Sequence, residues 1–224
     1  KIAELLRSLP VRPPVGAFTA TATAAVRRDI ETLLELRDPL RVTTGFDRPN
    51  LFFEVVRARD KDLWLSCFLA ERPEQSGIVY CATRKAVDAV TAALLAQGVP
   101  AARYHAGMED GERRRSQEGF VYDQARVMVA TNAFGMGIDK SNVSFVVHYN
   151  MPKDLESYYQ EAGRAGRDGS AAHCTLLFSA QDVRTAKFLI DHSSDNEELP
   201  EEERERLRLR DLGRLDRMVA YCKT

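Results

Sequence analysis

Gly77-Ile78-Val79-Tyr80-Cys81-Ala82-Thr83-Arg84 is an apolar run that stops at a short polar turn, after which residues 84–96 take up amphipathic helical spacing. A short apolar run bounded by a turn reads as a strand, and the stretch after it as a helix packed on that strand. Working outward, the same alternation fills the chain from about residue 47 to 192. Further apolar runs lie at 51–56, 101–105, 126–130, 145–149 and 174–178, and a second clear amphipathic stretch lies at 111–122. Strands alternating with helices predict an α/β layer built on a mostly parallel sheet.

Outside this core the pattern changes twice. Residues 1–45 hold one strong helix, expected at about 24–36 and entered through Thr19-Ala20-Thr21-Ala22-Thr23. Residues 194–210 carry dense alternating charge and read as a solvated linker running into a surface helix. A last helical pattern covers about 209–221, and no internal repeat is visible.

Composition narrows the function classes. The 224 residues are 44% hydrophobic and 29% charged, enough for a sizeable core under a charged surface. No apolar run of about 18 residues is present, so no membrane span is expected. The first residues, Lys1-Ile2-Ala3-Glu4, lack a signal-peptide layout and read as a cut inside a longer protein. The formal net charge of -1 excludes a globally basic nucleic-acid binder, so any nucleic-acid site has to be local. Cys67, Cys81, Cys174 and Cys222 form no CxxC pair and read as reduced thiols of a cytoplasmic protein.

Ligands of open parallel sheets bind at the carboxyl ends of strands, where helix N-termini expose unpaired N–H groups. Three turns suit that role. Ala82-Thr83-Arg84 follows the strand ending at Cys81, Ala106-Gly107-Met108 follows the strand ending at His105, and Thr131-Asn132-Ala133 follows the strand ending at Ala130. A threonine that opens a helix is ordinarily its N-cap. Three hydroxyl- or glycine-bearing turns on one edge make a surface for a phosphate backbone.

The densest constellation is Gln160-Glu161-Ala162-Gly163-Arg164-Ala165-Gly166-Arg167-Asp168-Gly169. If the helix begun at residues 154–159 continues, Gln160, Arg164 and Arg167 fall on one face. Gly163 and Gly166 then thin the adjacent face for close approach of a backbone or ligand. Two arginines on such a surface suit planar recognition of phosphate oxygens. Ala133-Phe134-Gly135-Met136-Gly137-Ile138-Asp139-Lys140 is glycine-rich too, but it is not a dinucleotide fingerprint. It reads as a loop with one carboxylate, able to touch a ribose or order a neighbouring loop.

In order along the chain, these stretches resemble the motifs of RecQ-type DNA helicases. Phe18-Thr19-Ala20-Thr21-Ala22 looks like motif III, Val79 to Arg84 like motif IV, Thr131 to Lys140 like motif V and Gln160 to Gly169 like motif VI. Tyr149-Asn150-Met151-Pro152-Lys153 sits between the last two as in that family, and Phe46 to Leu51 resembles the start of the second motor lobe. The resemblance implies that 1–45 ends a first lobe, that 46–193 is a second RecA-like lobe, and that 194–224 leads into a zinc-binding helical subdomain. It implies a 3′-to-5′ DNA-unwinding ATPase that uses ATP and Mg2+ and acts near the nucleoid. Arg164 and Arg167 would reach the γ-phosphate of ATP held by the first lobe, with Arg167 the stronger arginine-finger candidate. Gln160 would position the attacking water or the phosphate. Asp139, with Gly137, would contact the ribose or the lobe interface. Thr83, Arg84, His105, Gly107, Thr131 and Asn132 would follow single-stranded DNA, and Thr19 and Thr21 would couple nucleotide state to it. Met218-Val219-Ala220-Tyr221-Cys222 resembles the helix that presents the first of four zinc cysteines, so Cys222 would bind zinc only in a longer chain.

No G-x-x-x-x-G-K-[ST] and no Asp-Glu-x-His box occurs in the chain, so it is expected not to turn over ATP alone. Three other readings compete. A lobe of an RNA helicase of the DEAD-box type would show a histidine opening motif VI, where this chain has Gln160. A non-enzymatic RecA-like binding module has no use for both arginines. An unrelated nucleotide-binding enzyme would need a phosphate loop.

Overall fold

The apolar runs form strands because they are short, rich in β-branched and aromatic residues, and bounded by turn residues. β2 (Ser76–Tyr80) is buried at every position, as expected of a parallel strand covered on both faces. The computed structural model describes residues 2–19, 24–43, 47–132, 134, 140–191 and 200–224. They divide into two compact units, Lys1–Asp47 and Arg48–Thr224.

In the first unit, α1 (Ile2–Ser8) buries no side chain. α2 (Ala24–Leu33) stops earlier than the apolar spacing suggests. Glu35 takes a left-handed φ of 52°, and the Leu36 and Glu35 amides donate to the carbonyls of Glu31 and Thr32. That is a Schellman closure with a glutamate where glycine is usual. Arg7 pairs with Glu35, and an Arg12 guanidinium nitrogen donates to the Leu34 carbonyl at 2.7 Å.

The second unit is a six-stranded, all-parallel sheet in the order β1-β6-β5-β2-β4-β3. The other strands are β1 (Leu51–Val56), β3 (Ala101–Tyr104), β4 (Val127–Ala130), β5 (Val143–His148) and β6 (Ala172–Leu177). α3 (Lys61–Ala70) and α4 (Arg84–Ala96) cover one face, packing Leu65, Phe68, Val87 and Val90 on Val79, Val127 and Phe145. α5 (Asp110–Val121) and α6 (Leu155–Ala162) cover the other, packing Phe120 and Ala162 on Tyr80, Met128 and Val146. The fold is the predicted α/β, RecA-like arrangement. α7 (Ala180–Asp191) and α8 (Glu201–Tyr221) build a third cluster in which Leu215, Met218 and Cys222 meet Met151 and Tyr158. The surface helix expected after the charged linker begins at Glu201. Glu201, Glu202 and Glu203 occupy the first turn, where negative charge complements the helix dipole.

Chain crossing puts β2 at the centre, between β5 and β4. Gly77 is required there: a Cβ added to it would lie 2.2 Å from the Phe145 ring. Gly77→Ala should therefore destabilise the protein by about 1–3 kcal/mol through overpacking, lowering Tm by roughly 3–10 °C. Thermal unfolding checks it, and an unchanged Tm would contradict the packing described.

Candidate functional site

Every strand of a parallel sheet ends on the same edge, so β2, β4 and β3, which are neighbours, deliver their three turns side by side. Thr83 caps α4, its Oγ1 accepting from the Ala86 amide at 3.1 Å. The hydroxyl hydrogen remains available to donate. Thr83 and Arg84 are exposed, and the Arg84 side chain lies against Gly107, whose added Cβ would sit 3.1 Å from Arg84 Cδ. His105 is 6% exposed. The Gly107 amide donates to His105 Nδ1 at 3.2 Å, so the ring proton sits on Nε2 and faces Asp88 Oδ1 at 3.2 Å. Burial pushes the Asp88 carboxyl up, but hydrogen bonds from Arg103 and His105 outweigh it and hold it below the usual range. The Thr131 amide donates to the Tyr104 carbonyl at 3.1 Å, and Asn132 is exposed. Two of the amides expected to face a phosphate, those of Gly107 and Thr131, are thus used to fix the turns. The exposed side chains of Thr83, Arg84 and Asn132 are what this edge offers a ligand.

A strut fixes the β2 turn. Asn150 Oδ1 accepts from the Ala82 amide at 3.1 Å, and Asn150 Nδ2 donates to Asp182 Oδ1 at 3.0 Å. Lys61 Nζ donates to Asp182 Oδ2 at 2.8 Å and to the Tyr149 carbonyl at 2.7 Å. A groove of about 1340 Å³ runs past these residues, with Thr83, Asn132, Asn150 and Lys153 on its near side and α8 opposite.

The Gln160 to Gly169 segment departs from the expected continuous helix. Asp154 caps α6 through the Ser157 amide at 2.7 Å, and the helix ends at Ala162 with Gly163 as C-cap. Gly166 then takes a φ of 57°, which turns the chain, so Gln160, Arg164 and Arg167 do not share one helical face. An added Cβ at Gly166 would lie 2.5 Å from Asn50 Nδ2 and 2.7 Å from the Ser170 carbonyl. The glycine thins the segment for its own neighbours. Arg48 donates to the carbonyls of Gly163 at 2.8 Å and Ala165 at 3.0 Å, and also to that of Gly166. The Gly166 amide donates to the Val143 carbonyl at 2.8 Å. Val143 begins β5, so this loop lies at the amino edge of the sheet, opposite the three turns. Gln160 and Arg167 are exposed and Arg164 is half-buried. Their guanidinium and amide groups suit phosphate oxygens.

Tyr80 stands between the two edges. Its hydroxyl donates to the Phe134 carbonyl at 3.2 Å and lies beside the Arg164 guanidinium. Burial raises its pKa, and the guanidinium only partly offsets this. Sequence reasoning missed Arg48, Asn50, Asn150, Asp182 and Tyr80 as site-builders. The local signals were Arg48-Pro49-Asn50 standing directly before a strand, Tyr80 within Val79 to Arg84, and Asn150 within Tyr149 to Lys153.

Thr19 is exposed in the first unit, while Thr21, Gly137 and Asp139 lie outside the described residues. Cys222 is buried among apolar side chains, its thiol pushed up to about 11 by burial. Among the described residues no group of three His, Cys, Asp or Glu is placed to hold a metal ion. Cys222 alone does not fit a structural zinc site. No helix among the described residues is long and apolar enough to cross a membrane.

Residues 60–169 match the helicase conserved C-terminal domain. The ATP-dependent DNA helicase RecQ of Bacillus subtilis is 48% identical over 220 residues, which is 98% of this chain and 36% of that protein. The chain belongs to the RecQ helicases. RecQ of Pasteurella multocida is 41% identical over 209 residues, 93% of this chain and 32% of that protein. The RecQ-like DNA helicase BLM of Xenopus laevis is 41% identical over 186 residues, 81% of this chain and 14% of that protein. The chain therefore spans about a third of the bacterial RecQ proteins it matches. A Saccharomyces cerevisiae Dbp5 variant solved with Gle1 and IP6 shares the fold, with a TM-score of 0.64 at 22% identity over 86% of this chain and 51% of that one.

In this RecQ lobe the arginine loop owes its shape to Arg48. Arg48→Ala should cost on the order of 3 kcal/mol, because it leaves three carbonyls without their charged donor. Arg48→Lys should recover little, since one ammonium cannot reproduce the planar fork. Denaturant unfolding reads both, and a loss below about 0.5 kcal/mol for Arg48→Ala would refute the role.

Proposed function

We propose that this chain is the second motor lobe of an ATP-dependent 3′-to-5′ DNA helicase, working against a first lobe of the same protein. The observation that carries the reading is the clamped loop at the end of α6. Arg48 and Asn50 fix its backbone, so that two arginines leave a rigid turn just beyond Gln160 in the last turn of α6. Arg167, the exposed one, approaches the γ-phosphate of ATP as the arginine finger. Arg164 supports the same charge, and Gln160 orients the attacking water or the phosphate. Gly137 and Asp139 serve the ribose or the lobe interface, and Thr19 and Thr21 serve coupling. ATP and Mg2+ are held mainly by the first lobe, so this chain alone turns over no ATP. In the whole protein Cys222 joins three further cysteines around zinc. The relatives' names as ATP-dependent DNA helicases support the reading.

In the two-lobe protein, Arg167→Ala should abolish hydrolysis and leave DNA affinity nearly intact. A finger of this kind is worth roughly 10³ to 10⁵ in rate, or about 4–7 kcal/mol of barrier. Steady-state ATPase assays read it, and a loss under about tenfold contradicts the assignment.

The three carboxyl-edge turns track the backbone of single-stranded DNA, independent of sequence, with Thr83, Arg84 and Asn132 touching it and His105, Gly107 and Thr131 shaping the turns. With about two phosphates neutralised, affinity should fall roughly tenfold between 50 and 200 mM salt. Arg84→Ala should lower the salt slope by about one, whereas Thr83→Ala also removes a helix cap and is less informative. Fluorescence anisotropy with single-stranded DNA decides it: a salt-independent affinity, or an unchanged slope in Arg84→Ala, refutes this site.

A further inference from the structure

The two functional edges are joined by a closed set of contacts that runs through one phenol. Tyr80 is the last residue of β2, 3% exposed, and its ring stacks on His148 with centroids 5.3 Å apart and planes 24° apart. His148, fully buried at the end of β5, faces Glu161 Oε2 through Nε2 at 2.8 Å. Its ring also meets Tyr158 edge-on at 4.9 Å. Glu161 and Tyr158 both belong to α6, three and six residues before Arg164. The Tyr80 oxygen closes the set, donating to the Phe134 carbonyl while the Arg164 guanidinium lies beside it. A hydroxyl can donate once and still accept, so the phenol satisfies the carbonyl and the guanidinium together. His148 and Glu161 hold the ring in the plane that makes this possible.

We propose that Tyr80 is a positioning residue for Arg164, holding its guanidinium beside a phenol oxygen that the Phe134 carbonyl fixes in place, while its own strand begins the turn that bears Thr83 and Arg84. The inference rests on the reading that Arg164 approaches the nucleotide. Arg164 is half-buried on a loop at the opposite sheet edge, and a long side chain of that kind has many rotamers. The phenol selects one. Since Tyr80 and the Cys81 to Arg84 turn are continuous backbone, any displacement of that turn by DNA shifts the group on which the arginine rests.

Tyr80→Phe keeps the ring on His148 and deletes only the hydroxyl. In the two-lobe protein it should lower DNA-stimulated kcat about tenfold, with KM for ATP and single-stranded DNA affinity changed less than twofold. A purely structural hydroxyl would lower Tm and act alike in every background. The double mutant with Arg164→Ala separates these, measured by single-turnover hydrolysis so that slow variants stay readable. Tyr80→Phe should add nothing once Arg164 is gone. An undiminished tenfold effect in the Arg164→Ala background, or wild-type kcat in Tyr80→Phe beside an inactive Arg164→Ala, overturns the inference alone. Wild-type hydrolysis in both Arg164→Ala and Arg167→Ala overturns the nucleotide reading, and this inference with it.

Discussion

A helix that stops inside a protein leaves carbonyls pointing at nothing, and a buried carbonyl without a donor costs free energy comparable to a lost hydrogen bond. α6 stops at Ala162 because Gly163 and Gly166 follow, and the Arg48 guanidinium reaches the carbonyls that result. Charge-assisted bonds of this sort are roughly twice as strong as neutral ones. Arg48 stands just ahead of β1, and β1 pairs with β6, the strand that leaves the loop. The Ala172 amide bonds to the Asn50 carbonyl, and Asn50 Nδ2 donates to the carbonyls of Gly166 and Ser170. Both ends of the loop are therefore tied to one short segment at the edge of the sheet. The geometry of Arg164 and Arg167 depends on that segment more than on their own helix.

Parallel strands impose a second constraint. All six release their following turns at one edge, and each helix must carry the chain back to the other. Phosphate-suited turns after β2, β3 and β4 and an arginine loop after α6 are thus separated by about one strand length, roughly 16 Å for a five-residue strand. The packed interior between them is dense enough to transmit a shift. Tyr80 and Arg164 are among the longest side chains the alphabet offers, and they meet across the α6 face of the sheet.

The central strands were legible because burial on both faces writes itself as mostly apolar sequence, while β1 and β3 at the sheet's edges are only partly buried and carry Glu54 and Arg103; each expected run overlaps an observed strand. α4 was legible to the residue, since Thr83 caps it in the ordinary way. Helix ends were less so. Glu35 closes α2 in a conformation normally signalled by glycine. After Gln160 the spacing of Gln160, Arg164 and Arg167 imitates a helical face, although two glycines three apart are equally a signal of chain reversal. The types of residue in the turns could be read, but their use could not. That the Gly107 amide serves His105, and the Thr131 amide serves Tyr104, follows from backbone geometry. Contacts such as Arg48 to Gly163 span 115 residues, a separation at which local pattern carries no information.

The two halves of the site are built by the same device. At the arginine loop a cation, Arg48, is committed to backbone carbonyls. At the β2 turn another cation, Lys61, is committed to the Tyr149 carbonyl and to Asp182, which in turn orients Asn150 under the Ala82 amide. Lys61 and Asp182 are 13% and 7% exposed, so their pairing has to offset desolvation. It does so because the Asp182 oxygens also accept from Asn150 and Ser179, and the ammonium has two acceptors. A buried pair satisfied in this way fixes direction more than it adds stability. Arg48 and Lys61 flank β1, the strand that opens the second unit, and each reaches across the sheet to a turn far along the chain. The side chains offered to ligand then need no scaffolding of their own, and short threonines and exposed arginines are sufficient at the surface.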